Sequence, residues 1–369
     1  MPGGWFWTGL WCLVVAASLW QYRHTLRASL EEYDPSSATT RDSYRLVVML
    51  PHEGLLRYAT GPFFPTGIYY RPLSAAYFWA RHRALGVEPL GWRLVAMAWH
   101  AAAVTLLGLL VATCAGSRTP GVLAAGWFAW RGAHSEVVTW IAANPDLVAA
   151  SMSLASVIVL WRVRWPYWLR VGGAAGLLLG ALLTKESAAF MPVFFAATVW
   201  LWPVPEGAKR RALALGILAA VSLAYLGVYF SAVGNPAGPA GGSNLPALSS
   251  CLRRYAHLMW PPILMLRVFS PCLQLGWLLL LSAALWELVW QHLVYYGGAS
   301  LLLSRARRAA LIFATWLMLA PLPTLHCLSL PDERYLYPAS MGWAALAGLL
   351  MWQAGRVAAT AVRARLATA

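Results

Sequence analysis

Apolar runs recur along the whole chain, many edged by tryptophan or tyrosine and separated by short polar segments. A helix that crosses about 30 Å of hydrocarbon needs about 20 residues at 1.5 Å rise each. On that measure the pattern predicts about ten spans, near 4–20, 91–114, 120–133, 147–163, 168–184, 187–203, 211–231, 273–296, 309–327 and 337–355. The third, fourth and fifth are short. The fold class expected is therefore all-α and polytopic, one membrane domain over 1–369, with large loops at 21–90 and 232–272. Within the first loop, Leu46–Met49 and Tyr77–Leu85 are short amphipathic stretches expected to lie along the membrane surface as interfacial helices. The run Leu252–Leu266, broken at Pro261–Pro262, is a second candidate of that kind. The first span opens with Met1–Pro2–Gly3–Gly4 and lacks the positive stretch of a secretory signal, which favours an uncleaved anchor.

Composition supports the pattern. The chain is 60% hydrophobic and 11% charged, too little charge to cover a water-soluble surface of this size. Its 22 Trp and 15 Tyr suit the two interfacial belts of a bilayer. The net charge of +15 would suit nucleic acid, but the basic residues sit where inward loops orient a membrane protein against anionic lipid. Arg162, Arg164 and Arg170, then Lys209, Arg210 and Arg211, then Arg305, Arg307 and Arg308, and last Arg356, Arg363 and Arg365 all fall on one side when the spans alternate. That side is expected to be cytoplasmic, with both termini. The five cysteines show no paired spacing and no metal-binding motif.

All thirteen acidic residues except Glu206 and Glu287 then lie on the opposite, outer side. Carboxylates are costly at a bilayer boundary, so a one-sided cluster drawn from distant loops reads as a site. Lys185–Glu186 stands where the fifth span turns into the sixth, and only Lys209 shares its residue type in the chain. Two neighbours on a helix point about 100° apart, so each of the pair needs a partner elsewhere. His134–Ser135–Glu136 and Asn144–Pro145–Asp146 flank one outer turn. Asn144 is expected as an N-cap, Pro145 at the first helical position and Asp146 in the first turn, a structural role as plausible for Asp146 as a functional one. Glu136 sits among apolar neighbours and has no such structural role. His134 reads more readily as a hydrogen-bonded loop histidine than as a metal ligand. Asp332–Glu333–Arg334–Tyr335 opens the last span, and Arg334, a cation at a helix N-terminus, calls for a carboxylate or a phosphate. Glu31–Glu32–Tyr33–Asp34–Pro35 follows the first span.

Taken in order, these segments resemble a known family. Tyr70–Arg71–Pro72–Leu73, followed by Gly86, Pro89, Trp92 and His100, resembles the approach to the second span in the GT-C glycosyltransferases. Ala133–His134–Ser135–Glu136–Val137–Val138–Thr139–Trp140–Ile141 with Asp146–Leu147 resembles their first histidine–acid loop. Lys185–Glu186 resembles the basic–acidic pair after the fifth span, and Glu333–Arg334–Tyr335–Leu336–Tyr337–Pro338 resembles the motif opening the last. The set is closest to the TMTC and protein O-mannosyltransferase branch and covers roughly residues 30–345, without the tetratricopeptide array of many relatives.

The resemblance implies a polytopic enzyme that takes a sugar from a polyprenyl-phosphate donor and inverts the anomeric centre. It implies a catalytic acid in the first outer loop, here Asp34 with Glu32 as alternate. Lys185, Arg334 and Arg71 are expected to bind the donor phosphate, with His134, Glu136, Asp146, Glu186, Glu333 and Tyr337 around the substrate. No cofactor is expected beyond the donor substrate and no metal-ligand residues are assigned, with dependence on a divalent metal left open. The partners are membrane lipid, the donor, and an acceptor protein, glycan or lipid; nucleic acid is not among them. The setting is a cell membrane, bacterial and inner, with the site facing outward. The family pairs two adjacent acids where this chain has Glu32–Tyr33–Asp34, and Asn144 stands where an arginine is usual. Two rival classes remain: a transporter or lipid flippase, and a non-catalytic membrane subunit.

Overall fold

The computed structural model describes residues 4–30, 32–33, 42–63, 69–130, 134–161, 164–202, 206–233, 304–323 and 333–368. Among them the chain is helical, with no strand. The helices are α1 (Gly4–Gln21), α2 (Pro72–Leu85), α3 (Pro89–Ala115), α4 (Arg118–Ala129), α5 (Ser135–Thr139), α6 (Asn144–Leu160), α7 (Tyr167–Thr184), α8 (Glu186–Leu201, with 3-10 turns at both ends), α9 (Ala208–Val233), α10 (Arg305–Leu319) and α11 (Tyr337–Thr368). Asp34, Glu31, Asp332, most of the 232–272 loop and the eighth expected span fall outside the described residues, as does the side chain of Glu333.

Local sequence explains most boundaries. Prolines occupy the first turns of α2, α3 and α6, where the missing amide hydrogen costs nothing. Gly116 ends α3 in the left-handed region (φ 67), a conformation that glycine adopts without strain. Four helical stretches are long and apolar enough to cross a membrane: Pro89–Ala115, Ile141–Leu160, Tyr167–Thr184 and Ala208–Val233; Glu186–Leu201 is shorter but apolar. α4 is only 12 residues long, shorter than the run 120–133 led one to expect. α11 continues well past the expected end at 355, because the tail around Ala358 and Ala359 is rich in a strong helix former and has no proline stop.

The short α4 is held by close backbone approach. It packs against both α3 and α11, while α6 packs on α7 and α10 on α11. A methyl group at Gly121 would lie 2.8 Å from Ala112 Cβ, and one at Gly348 would lie 2.6 Å from the backbone nitrogen of Ala124. Neither glycine can be enlarged without parting the helices, which is how small residues act between helices that have no hydrophobic drive to associate in lipid.

The helix ends sort into two groups. At one end Arg170 pairs with Glu206 and donates to the Leu160 carbonyl (3.3 Å), the Tyr167 hydroxyl donates to the Arg210 carbonyl (2.7 Å), and Arg305 lies against Gly116. At the other, Gln21 donates to the Ala129 carbonyl, Ser74 donates to the Thr184 carbonyl (2.6 Å), and Arg71 reaches Glu186. The basic loops thus share the first end and the sequence motifs the second.

The first loop differs from expectation in one respect. Leu46, Val47 and Leu50 are buried with Tyr58 and Phe63 against Phe78 of α2, Trp92 of α3 and Ile141. Their apolar faces close a small protein core of their own over the motif-bearing end, and only Met49 of that stretch stays exposed. The Leu46–Met49 stretch, expected to lie along the membrane surface, is thus part of a folded cap, while Tyr77–Leu85 lies within α2.

The sorting predicts membrane sidedness. Glu88 and Lys209 are exposed at opposite ends. In a background without the native cysteines, Glu88→Cys is expected to react with an impermeant thiol reagent in intact cells and Lys209→Cys only after permeabilisation; the reverse pattern would invert the topology.

Candidate functional site

α7 ends at Thr184, and Lys185 leaves the helix with an extended backbone (φ −158, ψ 138) before Glu186 starts the next turn. Because successive residues of an extended segment point to opposite sides, Lys185 and Glu186 separate more fully than two helical neighbours would. The Lys185 ammonium pairs with the Asp146 carboxylate at the start of α6. Glu186 receives the Arg71 guanidinium in fork geometry, Nε donating to Oε2 at 2.8 Å and Nη2 to Oε1. Arg334 joins Glu136: its guanidinium lies 3.7 Å from Oε1, and its backbone N–H donates to Oε2 at 3.1 Å. Glu136 thereby anchors the turn that opens α11.

Aromatic faces link the pairs. The Arg334 guanidinium lies 4.2 Å from the Trp140 ring centre and 4.9 Å from that of Tyr335. The Lys185 ammonium is 5.7 Å from the same Tyr335 ring, so one tyrosine stands between two cations. Arg71 lies 4.0 Å over Tyr69, and Tyr225 and Tyr229 of α9 flank the Arg71–Glu186 pair closely enough to feel its charges.

Burial sets the electrostatics. Lys185 is 4% exposed and its partner Asp146 1%. Burial pushes the Lys185 ammonium below its usual range; Asp146 opposes the shift, and the cations Arg71 and Arg334 add to it. For Arg71 burial also works against the charge, but the Glu186 carboxylate outweighs it, helped by Tyr69 and Asp146, so the guanidinium is held above its usual range. Three cations from remote parts of the chain therefore form one electrostatic cluster, interleaved with Glu136, Asp146 and Glu186.

The other expected site residues fall into two places. His134 is fully buried, and its Nε2 donates to the Ser340 hydroxyl at 2.8 Å, since that hydroxyl itself donates to the Tyr337 carbonyl at 2.7 Å. The Tyr337 hydroxyl meets His100 Nδ1 at 3.0 Å, and both rings pack with His134 and Phe128. His134 and Tyr337 thus belong to a buried aromatic nest beside the cation cluster. Glu32 is exposed, and its Oε2 accepts the Ser29 N–H at 3.2 Å. Among the described residues no three His, Cys, Asp or Glu side chains converge as for a metal ion.

Two readings of the sequence change. Asn144 is not the N-cap: α6 begins at Asn144 with Ala143 before it. Its side chain accepts from Arg81 Nη1 (3.0 Å) and donates to the Val137 and Trp140 carbonyls (3.2 Å each), because a buried arginine nearby supplies a stronger partner than the helix amides. Asp146 lies in the first turn, yet its carboxylate serves Lys185 rather than solvent. Sequence reasoning missed Arg81, Arg93, Trp140 and Tyr335. A lone arginine inside an apolar run, as at Arg93, is a signal that could have been followed, since a guanidinium there requires partners.

No family model matches the chain, and no curated protein matches its sequence.

The pairing predicts how the cluster responds to mutation. Lys185→Ala leaves Asp146 buried without its cation, a loss of about 3–5 kcal/mol. The double variant Lys185→Met with Asp146→Leu, which removes both charges, is expected to recover most of it. Thermal denaturation in detergent compares the two, and equal loss in both would mean that the charges are not what the bundle end depends on.

Proposed function

We propose that this protein is a membrane glycosyltransferase that moves a sugar, mannose or another hexose or pentose, from a polyprenyl-phosphate donor to an acceptor at the extracytoplasmic face, with inversion. The observation that carries the reading is the gathering of Arg71, Lys185 and Arg334 at one end of an apolar helix bundle. A lipid-linked phosphate sits at that depth, between hydrocarbon and water. As its bond to the sugar breaks, negative charge grows on it, and fixed cations stabilise that charge most where water is scarce.

Each cation has a distinct part in this scheme. Arg334 has the longest ion pair, 3.7 Å, and a side chain 16% exposed, so it is the first to meet an arriving phosphate. Arg71 is gripped by Glu186 and offers a charge already oriented. Lys185, beneath Tyr335, adds charge from below without having to leave Asp146. The carboxylates hold the cations when the donor is absent, and Glu136 and Glu186, the more accessible two, can then bond sugar hydroxyls.

The reaction needs a proton acceptor on the opposite face of the sugar. The acceptor hydroxyl attacks the anomeric carbon, its proton passes to a first-loop carboxylate, and the polyprenyl phosphate departs with the bonding electrons. Asp34 is the base in this reading and Glu32 the alternate. The ten-span topology and the outward orientation belong to the same proposal. A transporter would use an ionisable group deep in a span, such as Glu287 or His100; the His100 ring is engaged by Tyr337 inside the aromatic nest, and Glu287 lies outside the described residues.

With purified protein and a panel of polyprenyl-phosphate sugars, Arg334→Gln is expected to weaken donor binding by about 10–100-fold, the worth of one charge-assisted bond. Asp34→Asn is expected to abolish transfer with donor binding kept, and Glu32→Gln to do less. Normal transfer by Asp34→Asn, Glu32→Gln and Glu136→Gln alike would remove the first-loop base. A wild-type protein that binds donors yet transfers to no acceptor would point to the flippase or subunit classes instead.

A further inference from the structure

Arg93 is a guanidinium buried to 1% exposure near the start of α3, and no ion pair holds it among the described residues. Its donors go to backbone carbonyls from two distant segments. Nε donates to Ala28 at 3.1 Å and Nη2 to Ser29, at the start of the first loop; Nη1 donates to Thr139 at 2.8 Å, the last residue of α5. The guanidinium also lies 5.2 Å from the Tyr33 ring centre. A methionine or leucine would fill the same volume in an apolar helix at far lower desolvation cost, so the arginine is explained by the three carbonyls that converge on it.

The network continues to a carboxylate. The Ser29 carbonyl is fixed by Arg93, and the Ser29 N–H donates to Glu32 Oε2 at 3.2 Å. On the other side, Thr139 lies between Glu136, which holds Arg334, and Trp140, on whose ring Arg334 stacks. One planar group with donors in a fixed fork thus ties the first-loop segment that includes Glu32 to the short helix whose Glu136 holds Arg334. Two helical ends are capped at once: the 3-10 turn Arg23–Arg27, through the carbonyls just beyond it, and α5.

We propose that Arg93 is a positioning residue that holds the start of the first loop, and with it Glu32, to the segment carrying Glu136 and Trp140 by clamping Ala28 and Ser29 to Thr139, a role that rests on the transferase reading. Arg93 does not touch substrate in this scheme. It acts through the Ser29 peptide on Glu32. A lysine there can reach one or two carbonyls but cannot hold three in one plane.

The test combines hydrogen exchange with kinetics on the full-length protein in detergent, comparing wild type, Arg93→Lys and Arg93→Gln. Amides over 28–33 are expected to exchange at least about tenfold faster in Arg93→Gln and to an intermediate degree in Arg93→Lys, with α6 and α7 unchanged. Turnover is expected to fall by about a hundredfold in Arg93→Gln with the KM for donor held, since a misplaced base loses rate without losing binding. Arg93→Lys recovers part of the turnover in step with its exchange. Unchanged exchange over 28–33 in both variants overturns the clamp, and so does faster exchange spread evenly through the bundle, which marks a merely structural arginine. Local loosening with wild-type turnover also overturns the positioning role. Because the exchange arm reads the clamp without any reaction, a wild type that transfers nothing sinks the transferase reading while the hold of Arg93 on the loop is still decided.

Discussion

Charge buried at the edge of an apolar bundle is the constraint on which the rest of this structure depends. A lone guanidinium or ammonium at such a boundary is expensive, and partners that neutralise it must come from wherever the chain can bring them. Here each of three cations finds a carboxylate from a remote segment: Arg71 with Glu186, Lys185 with Asp146, Arg334 with Glu136. Each pair joins two helix ends, so meeting the electrostatic requirement also fixes how α2, α5, α6, α7, α8 and α11 meet.

The uncompensated arginines solve the same problem with dipoles. Arg81 lies over Trp92, 4.2 Å from its ring centre, and donates to Asn144 and to the hydroxyl of Tyr77. Arg93 gathers three carbonyls. Both are buried, and lower dielectric strengthens every polar contact they make. Arg81 thereby joins α2 to α3 and α6, and Arg93 joins the start of the first loop to α5.

The pairing that stabilises this end also suits it to an anionic ligand. On the proposed reading, cations held by carboxylates would already be in place for a phosphate, with little reorganisation needed to turn them toward it. The ion pairs are graded, from the deeply buried Lys185–Asp146 to the looser Arg334–Glu136 at 3.7 Å, so the cluster has a rigid floor and an adjustable rim. Tyr335, between Lys185 and Arg334, keeps the two cations apart while offering both its face.

The sequence by itself determined the helical, membrane-suited character of the chain, since apolar runs of spanning length leave few other ways to satisfy the backbone in lipid. It also determined that Lys185, Glu186, Glu136 and Arg334 need partners, because charge is rare enough in this chain to stand out. Which partner each takes was decided only by tertiary structure. Asp146 read as readily as a helix-start acid and Asn144 as a cap, because local spacing suits both roles; the fold gave Asp146 to Lys185 and Asn144 to Arg81. His134 and Tyr337, neighbours of the charged motifs in sequence, went to an aromatic nest, since rings pack wherever the helices leave apolar room. Arg93 was not among the expected site residues, and its place between two segments emerges only when residues 28, 29 and 139 meet. Periodicity and composition are local properties that one stretch of chain can carry, whereas a partner across more than a hundred residues, as for Arg71 and Glu186, exists only once the helices have packed.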